Sequence, residues 1–401
     1  MNDRAAVCLL AGLLALSAAA HAQDRVLSAK SGQVDVKLFI PEETKVLRGL
    51  LIHAANYTMN PQDRWAELCR AMGWAHVALN IDRNANNRPT KLRQAMDEML
   101  KQWAAEAGHP ELPNLPLMGV GHSAGGMVTP TMLKTPERTV TSCVSCGWIA
   151  DPKKTAPGTE NIPMLFTIGA INDAFNMVPG VEGNFYPARL AGRPWALGFM
   201  WDAAHDFANS ATLFVPWTVA VYNARVPADW DPLAGPPKLR DIRLEDGYLG
   251  DCTTWDTTWP TISRYAQFKG DISRTVWLPD QATAFVWRAF QSKGAPVVLQ
   301  AAAEDGSARL GEYKPKAERG MMVNPGIAIV MEVSVAEGTA IRRVQFYEGD
   351  RLLGESAAAP WRFVWRDVKP GAHAVLATWE AADGKPGTTT PALVVVRGKA
   401  R

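Results

Sequence analysis

Neither sign of charge dominates this chain: 42 basic and 40 acidic side chains leave a formal charge of +2 over 401 residues. The concentrated positive field on which nucleic-acid binding leans is missing, so that class of partner is not expected. Long apolar runs are missing too. The longest, Ala5 to Ala20, is shorter than the roughly 20 residues a membrane span needs, and stable membrane insertion is not expected. No His/Glu metal motif and no dinucleotide-binding glycine pattern occurs, so neither a metal nor a cofactor is expected. The stretch Asp82-Arg-Asn-Ala-Asn-Asn87 lacks the glycine and terminal glutamate of a calcium loop and reads as a polar loop at a site rim. Cysteine is sparse. With Cys8 inside the apolar run set aside, Cys69, Cys143, Cys146 and Cys252 remain, enough for at most two disulfides in an oxidising compartment. Cys143 and Cys146 lie in a β-branched run, where three residues span about 10 Å, so a bond between those two is not expected.

What is present begins with an export pattern. Met-Asn-Asp-Arg precedes the apolar run, and Ala20-His21-Ala22 has the small-x-small form that signal peptidase cuts after. Residues 1–22 therefore read as a signal peptide, and the expected location is secreted or periplasmic. The remaining chain of about 380 residues is long for one domain and suits two or three.

Strand-like and helix-like segments alternate from Val34 to about Val226, the pattern of an α/β domain with a largely parallel sheet and helices on both faces. Strands are expected at Val34 to Ile40, Arg48 to Ala54, Trp74 to Asn80, Leu115 to Val120, Thr139 to Gly147, Met164 to Gly169 and Ala196 to Met200. Helices are expected at Gln62 to Met72, Pro89 to Ala107, Ala124 to Lys134 and Ser210 to Asn223. The run Pro227 to Pro237 interrupts this order, giving a catalytic core at 23–230. Residues 231–296 follow as an aromatic-rich appendage ending in a helix capped by Asp280. Eight of the 15 tryptophans fall between Trp195 and Trp287, and most are expected to pack the appendage on the core. Residues 297–401 carry short alternating runs split by turn signals, an all-β sandwich pattern with its own core. Ile341 to Gly354, Ala359-Pro-Trp and Pro370-Gly-Ala-His373 resemble bacterial immunoglobulin-like domains appended to secreted hydrolases.

The chemistry concentrates in Gly121-His122-Ser123-Ala124-Gly125. This G-x-S-x-G pentad directly follows an apolar strand and precedes a helix-like run. A nucleophilic serine needs that setting, because a tight strand-to-helix turn exposes its hydroxyl and aims backbone donors at developing charge.

With its strand-helix order, the pentad resembles the α/β-hydrolase superfamily over about residues 30 to 226, which implies an α/β-hydrolase sheet and a nucleophile-acid-histidine order. Within that order His205 is the histidine that follows Ser123 outside the sandwich. The resemblance implies that it accepts the serine proton. Asp173, beyond the strand Met164 to Gly169, occupies the superfamily's usual acid position, with Asp151 as the alternative. Acyl transfer also needs two backbone donors for the oxyanion: the Ala124 amide, and one from the loop after Arg48 to Ala54, with Ala55 preferred over Asn56. Asn56, Tyr57, His122 and Trp201 are the candidates for lining the substrate site.

The function expected is an exported serine hydrolase that cleaves carboxylic esters, either small molecules or polymers such as acylated carbohydrate. A secreted serine peptidase of the same fold and a catalytically inert carbohydrate-binding or adhesion protein are the alternatives. The residues do not determine an oligomeric state.

Overall fold

The computed structural model describes residues 24–54, 57–82, 84–171, 173, 179–311 and 319–398. The proposed signal peptide lies outside them. Eight strands form the first sheet: β1 (Arg25–Ser31), β2 (Val34–Ile40), β3 (Gly49–Ala54), β4 (Trp74–Ile81), β5 (Leu117–His122), β6 (Thr139–Ser145), β7 (Met164–Gly169) and β8 (Trp195–Met200). Their order is β1-β2-β4-β3-β5-β6-β7-β8. β2 runs antiparallel to β1 and β4, and the pairs from β4 to β8 are parallel. β3, β6, β7 and β8 are buried along their whole length. That is why they read as continuous apolar or β-branched runs rather than alternating ones.

Helices α1 (Arg64–Met72), α2 (Arg88–Ala107), α3 (Val128–Met132), α4 (Tyr186–Leu190), α5 (Ser210–Arg225) and α6 (Gln281–Gln291) cover this sheet and its appendage. Local signals set their ends. The Asp63 carboxylate accepts from the Trp65 and Ala66 amides at the start of α1, and Gly73 ends it at φ 65°, the left-handed cap that glycine adopts without strain. Asp280 caps α6 by accepting from the Thr283 amide, as the sequence suggests. The helix expected over Ala124 to Lys134 is shorter: Ser123–Met127 is a 3₁₀ turn and only Val128–Met132 is α-helical. Gly125 and Gly126 in its first turn are poor helix formers and leave the tight turn in place.

The appendage contains strands β9 (Tyr248–Asp251), β10 (Ile262–Arg264) and β11 (Thr275–Leu278), paired β10-β9-β11. Trp277 and Trp287 are fully buried, and the Trp287 indole donates to the Leu197 carbonyl on β8. These aromatics therefore tie the appendage to the edge of the main sheet.

The C-terminal region contributes β12 (Val297–Ala303), β13 (Gly320–Val323), β14 (Ile329–Val335), β15 (Ile341–Glu348), β16 (Arg351–Ser356), β17 (Arg362–Trp365), β18 (Gly371–Ala381), β19 (Pro386–Thr388) and β20 (Ala392–Val396). One sheet runs β12-β14-β17 and the other β13-β20-β18-β15-β16. β18 and β20 are buried on both faces, and period-2 alternation explains how. Val375, Ala377, Val394 and Val396 enter the sandwich core. Ala374, Leu376, Leu393 and Val395 enter the large core of the first domain, where β18 and β20 meet α1 and α5, and β18 also meets α6. A sandwich with its own core thus also shares one face with its neighbour.

Candidate active site

Ser123 follows β5 with φ 53°, in the left-handed region a β-substituted residue seldom enters. The turn that imposes this is tight. A Cβ on Gly121 would fall 2.2 Å from the Gly125 carbonyl oxygen, so only glycine fits there. The serine is thereby raised at the end of β5, with the Ala124 amide the next donor along the chain.

Two and three strands away, β7 and β8 carry the other polar groups. Their parallel pairing continues past the strand ends: the Ala170 amide donates to the Met200 carbonyl and the Ile171 amide to that of Ala203. Asp173 and His205 are thus brought together. His205 Nε2 lies 2.7 Å from Ser123 Oγ, and its Nδ1 lies 3.2 Å from Asp173 Oδ1. With the proton on Nδ1, the ring donates to the carboxylate and keeps Nε2 free to accept the serine proton. Asp173 is buried, while the His205 side chain is half exposed, so the carboxylate is shielded from water and the imidazole is reachable.

Hydroxyls hold the histidine loop from below. Thr167 Oγ1 meets Ser210 Oγ at 2.8 Å, Ser210 Oγ donates to Ser145 Oγ, and Ser145 Oγ donates to the Asp206 carbonyl. The thiols of Cys69, Cys143, Cys146 and Cys252 are free and buried. Burial and the neighbouring Asp173 charge push the Cys146 thiol up to about 12, so it stays protonated. Cys146, Asp173 and His205 offer donor atoms within 4.8 Å of one another. A protonated thiol is a poor metal ligand, and both His205 nitrogens already have hydrogen-bond partners.

Asp151 lies elsewhere. It accepts from the Lys153 amide and pairs with Lys154. Ala55 and Asn56, the candidates for the second oxyanion donor, lie outside the described residues. Tyr57 stacks on His53 at 4.0 Å between ring centres and donates its hydroxyl to Asp63. The His122 ring stands 5.4 Å from the His205 ring, and burial, then the nearby His205 charge, lower its pKa. It stays neutral beside His205. Trp201 is turned toward the appendage: its indole donates to the Gln291 carbonyl, and its ring packs on Phe199 under the Lys293 ammonium. None of these described contacts is with Ser123 or His205. Sequence reasoning passes over Trp148. A Cβ on Gly126 would lie 3.8 Å from its amide nitrogen, and one on Gly147 3.3 Å from the Ser123 carbonyl. This backbone abuts the serine turn, yet the Trp148 side chain is 75% exposed.

No protein-family model and no curated protein matches the sequence. Among solved structures, the chain is similar to a Klebsiella pneumoniae protein ascribed as a dienelactone hydrolase, at 14% identity over 46% of this chain and 88% of that one, with a TM-score of 0.32. It is also similar to the fibronectin(III)-like modules of Clostridium thermocellum CbhA, at 23% identity over 24% of this chain and 93% of that one, with a TM-score of 0.19. Among the described residues, no helix is long and apolar enough to cross a membrane.

Proposed function

We propose that the chain is an exported serine hydrolase of the α/β-hydrolase type that cleaves carboxylic esters through an acyl-enzyme. The observation that carries this reading is the continuous contact from Ser123 Oγ through the His205 ring to Asp173. Ser123 Oγ attacks the ester carbonyl as its proton passes to His205 Nε2. The tetrahedral oxyanion is met by the Ala124 amide and by an amide of the loop after β3, at Ala55. Collapse expels the alcohol, which takes the proton from Nε2. Water then attacks the acyl-serine, giving one proton to Nε2, and the acid leaves as that proton returns to Oγ. Asp173 stays ionised throughout, fixing the tautomer and stabilising the imidazolium. The exposed Trp148, whose backbone abuts the serine turn, supports substrates with an apolar or ring-bearing group, acylated polymers included.

The test is turnover of short p-nitrophenyl esters against a panel of aminopeptide substrates. Ester hydrolysis that disappears on Ser123→Ala supports the reading. Peptide turnover alone makes the protein a peptidase, and glycan binding without any turnover makes it a binding protein.

A further inference from the structure

Cys146 follows β6 with φ 49°, again in the left-handed region that only glycine, asparagine and aspartate enter readily. Its amide donates to the Thr167 carbonyl, which fixes the backbone, and its thiol is turned toward the triad. Sγ lies 3.7 Å from the Ala204 carbonyl oxygen and 3.4 Å from that of Asp206. Those two residues flank His205. The same sulfur shares the 4.8 Å cluster with a carboxylate oxygen of Asp173 and a ring nitrogen of His205. Asp173 is buried, its Oδ1 faces His205, and its Oδ2 has no hydrogen-bond partner among the described residues.

We infer that Cys146 is a positioning residue whose S–H holds the histidine loop, through the Ala204 and Asp206 carbonyls, in register with the carboxylate of Asp173. The thiol proton lies within reach of two carbonyl oxygens that flank His205, and the same sulfur stands within 4.8 Å of a carboxylate oxygen of Asp173 on the other segment. Each S–H···O contact is weak, but together they oppose sliding of one segment past the other. A shift of about 1 Å between acid and base is enough to cost orders of magnitude in rate. Because the thiol stays protonated, it acts as a donor and not as a nucleophile.

This inference rests on the proposed hydrolase reading, so its test includes a measurement that needs no turnover. Cys146→Ala, Cys146→Gly and Cys146→Ser are compared with wild type by ester kinetics, by the pH profile of kcat/KM, and by NMR titration of the His205 imidazole. Cys146→Gly suits the left-handed backbone, so it removes the thiol even where Cys146→Ala fails to fold. The expected result is a fall in kcat of about tenfold for the variants without a donor, with KM within about twofold. The His205 pKa should fall, because a histidine loop free to slide holds its imidazolium less closely against the Asp173 carboxylate. Cys146→Ser, which restores a donor, should recover most of kcat and the wild-type His205 pKa. An unchanged His205 pKa in folded Cys146→Gly or Cys146→Ala overturns the inference, whatever the protein hydrolyses. So does a serine variant as impaired as the glycine variant.

Discussion

Gly169 and Ala204 meet main chain to main chain: a Cβ on Gly169 would fall 1.6 Å from the Ala204 carbonyl oxygen. Gly169 ends the strand that leads to Asp173, and Ala204 directly precedes His205, so this close approach sets the spacing between the proposed acid and base. Gly169→Ala must push the histidine loop away. We expect it to lose about 100-fold in kcat/KM on a small ester. Overpacking should also lower stability by about 1 to 3 kcal/mol. Paired kinetics and denaturant unfolding measure both; wild-type kinetics in the folded variant would show that the loop adapts without consequence.

Ser123→Ala should leave a folded protein with at least 10³-fold lower ester turnover, in line with loss of a triad member. Asp173→Asn should also cost orders of magnitude in kcat, because an amide facing Nδ1 permits the wrong tautomer. Asp151→Asn should cost little, since Asp151 faces Lys153 and Lys154. The reverse ranking of the two aspartate variants would transfer the acid's role to Asp151.

Ser123, Asp173 and His205, the proposed triad, can be picked out of the sequence because each follows a largely apolar strand within a few residues, and the pentad marks the turn. Other features depend on residues distant in sequence. The sequence spacing of Trp201 from His205 suggests that it lines the site, but Gln291, 90 residues on, draws its indole away. Cys146 reads as an inert buried thiol until the 204–206 backbone is seen beside it. Trp148 follows a strand like many structural tryptophans, and nothing in its neighbours' identity marks it as exposed. The sandwich strand β20 (ALVVV) is apolar at every position, as is the stretch Ala374 to Ala377 of β18, which reveals double burial without revealing what covers the outer face.

Trp148→Ala should raise KM for esters of aromatic or long aliphatic acids by about five- to tenfold, while acetate esters keep kcat/KM within about twofold. The side chain is largely exposed, so the melting temperature should barely change. An equal effect on large and small esters would assign Trp148 to the turn's conformation instead of to substrate contact.

His53 Nδ1 and His76 Nε2 lie 2.8 Å apart in the core. Burial lowers the His76 pKa to about 3, and burial, then the His76 and Arg64 charges, lower that of His53 well below 6.5. Both are therefore neutral in the fold at pH values where the unfolded chain would protonate them. Below about 6.5 the unfolded state binds more protons, so stability is full above that pH and falls as the pH drops toward 3. Each histidine contributes a slope of up to about 1.4 kcal/mol per pH unit. His76→Gln should flatten the dependence of unfolding free energy on pH between 6.5 and 4 relative to wild type. Parallel curves for the two proteins would mean that other groups govern acid unfolding.

A chain ending near Ala295 tests how far the sandwich is a separate unit. No residue of the proposed triad lies beyond position 205, and a domain with its own core ordinarily acts on its own. Here, however, the sandwich places Leu376 and Leu393, each 1% exposed, in the same core as α1 and α5. Hydrogen bonds also cross the boundary, from the Asn209 side-chain Nδ2 to the Pro391 carbonyl and from the Thr388 backbone amide to the Thr258 carbonyl. Removing the sandwich exposes that apolar face to water, at about 25 cal/mol for each Å² uncovered. The truncated protein should melt lower and aggregate more readily, while full-length protein should unfold in a single cooperative step. Leu376→Ala and Leu393→Ala test the same face without removing chain, each expected to cost about 2 to 5 kcal/mol. Because the proposed triad touches none of these residues, kcat measured well below the melting temperature should stay within about threefold of wild type in both leucine variants. A truncated chain that melts at the full-length temperature would show the shared face to be energetically idle and the sandwich to be an appended module.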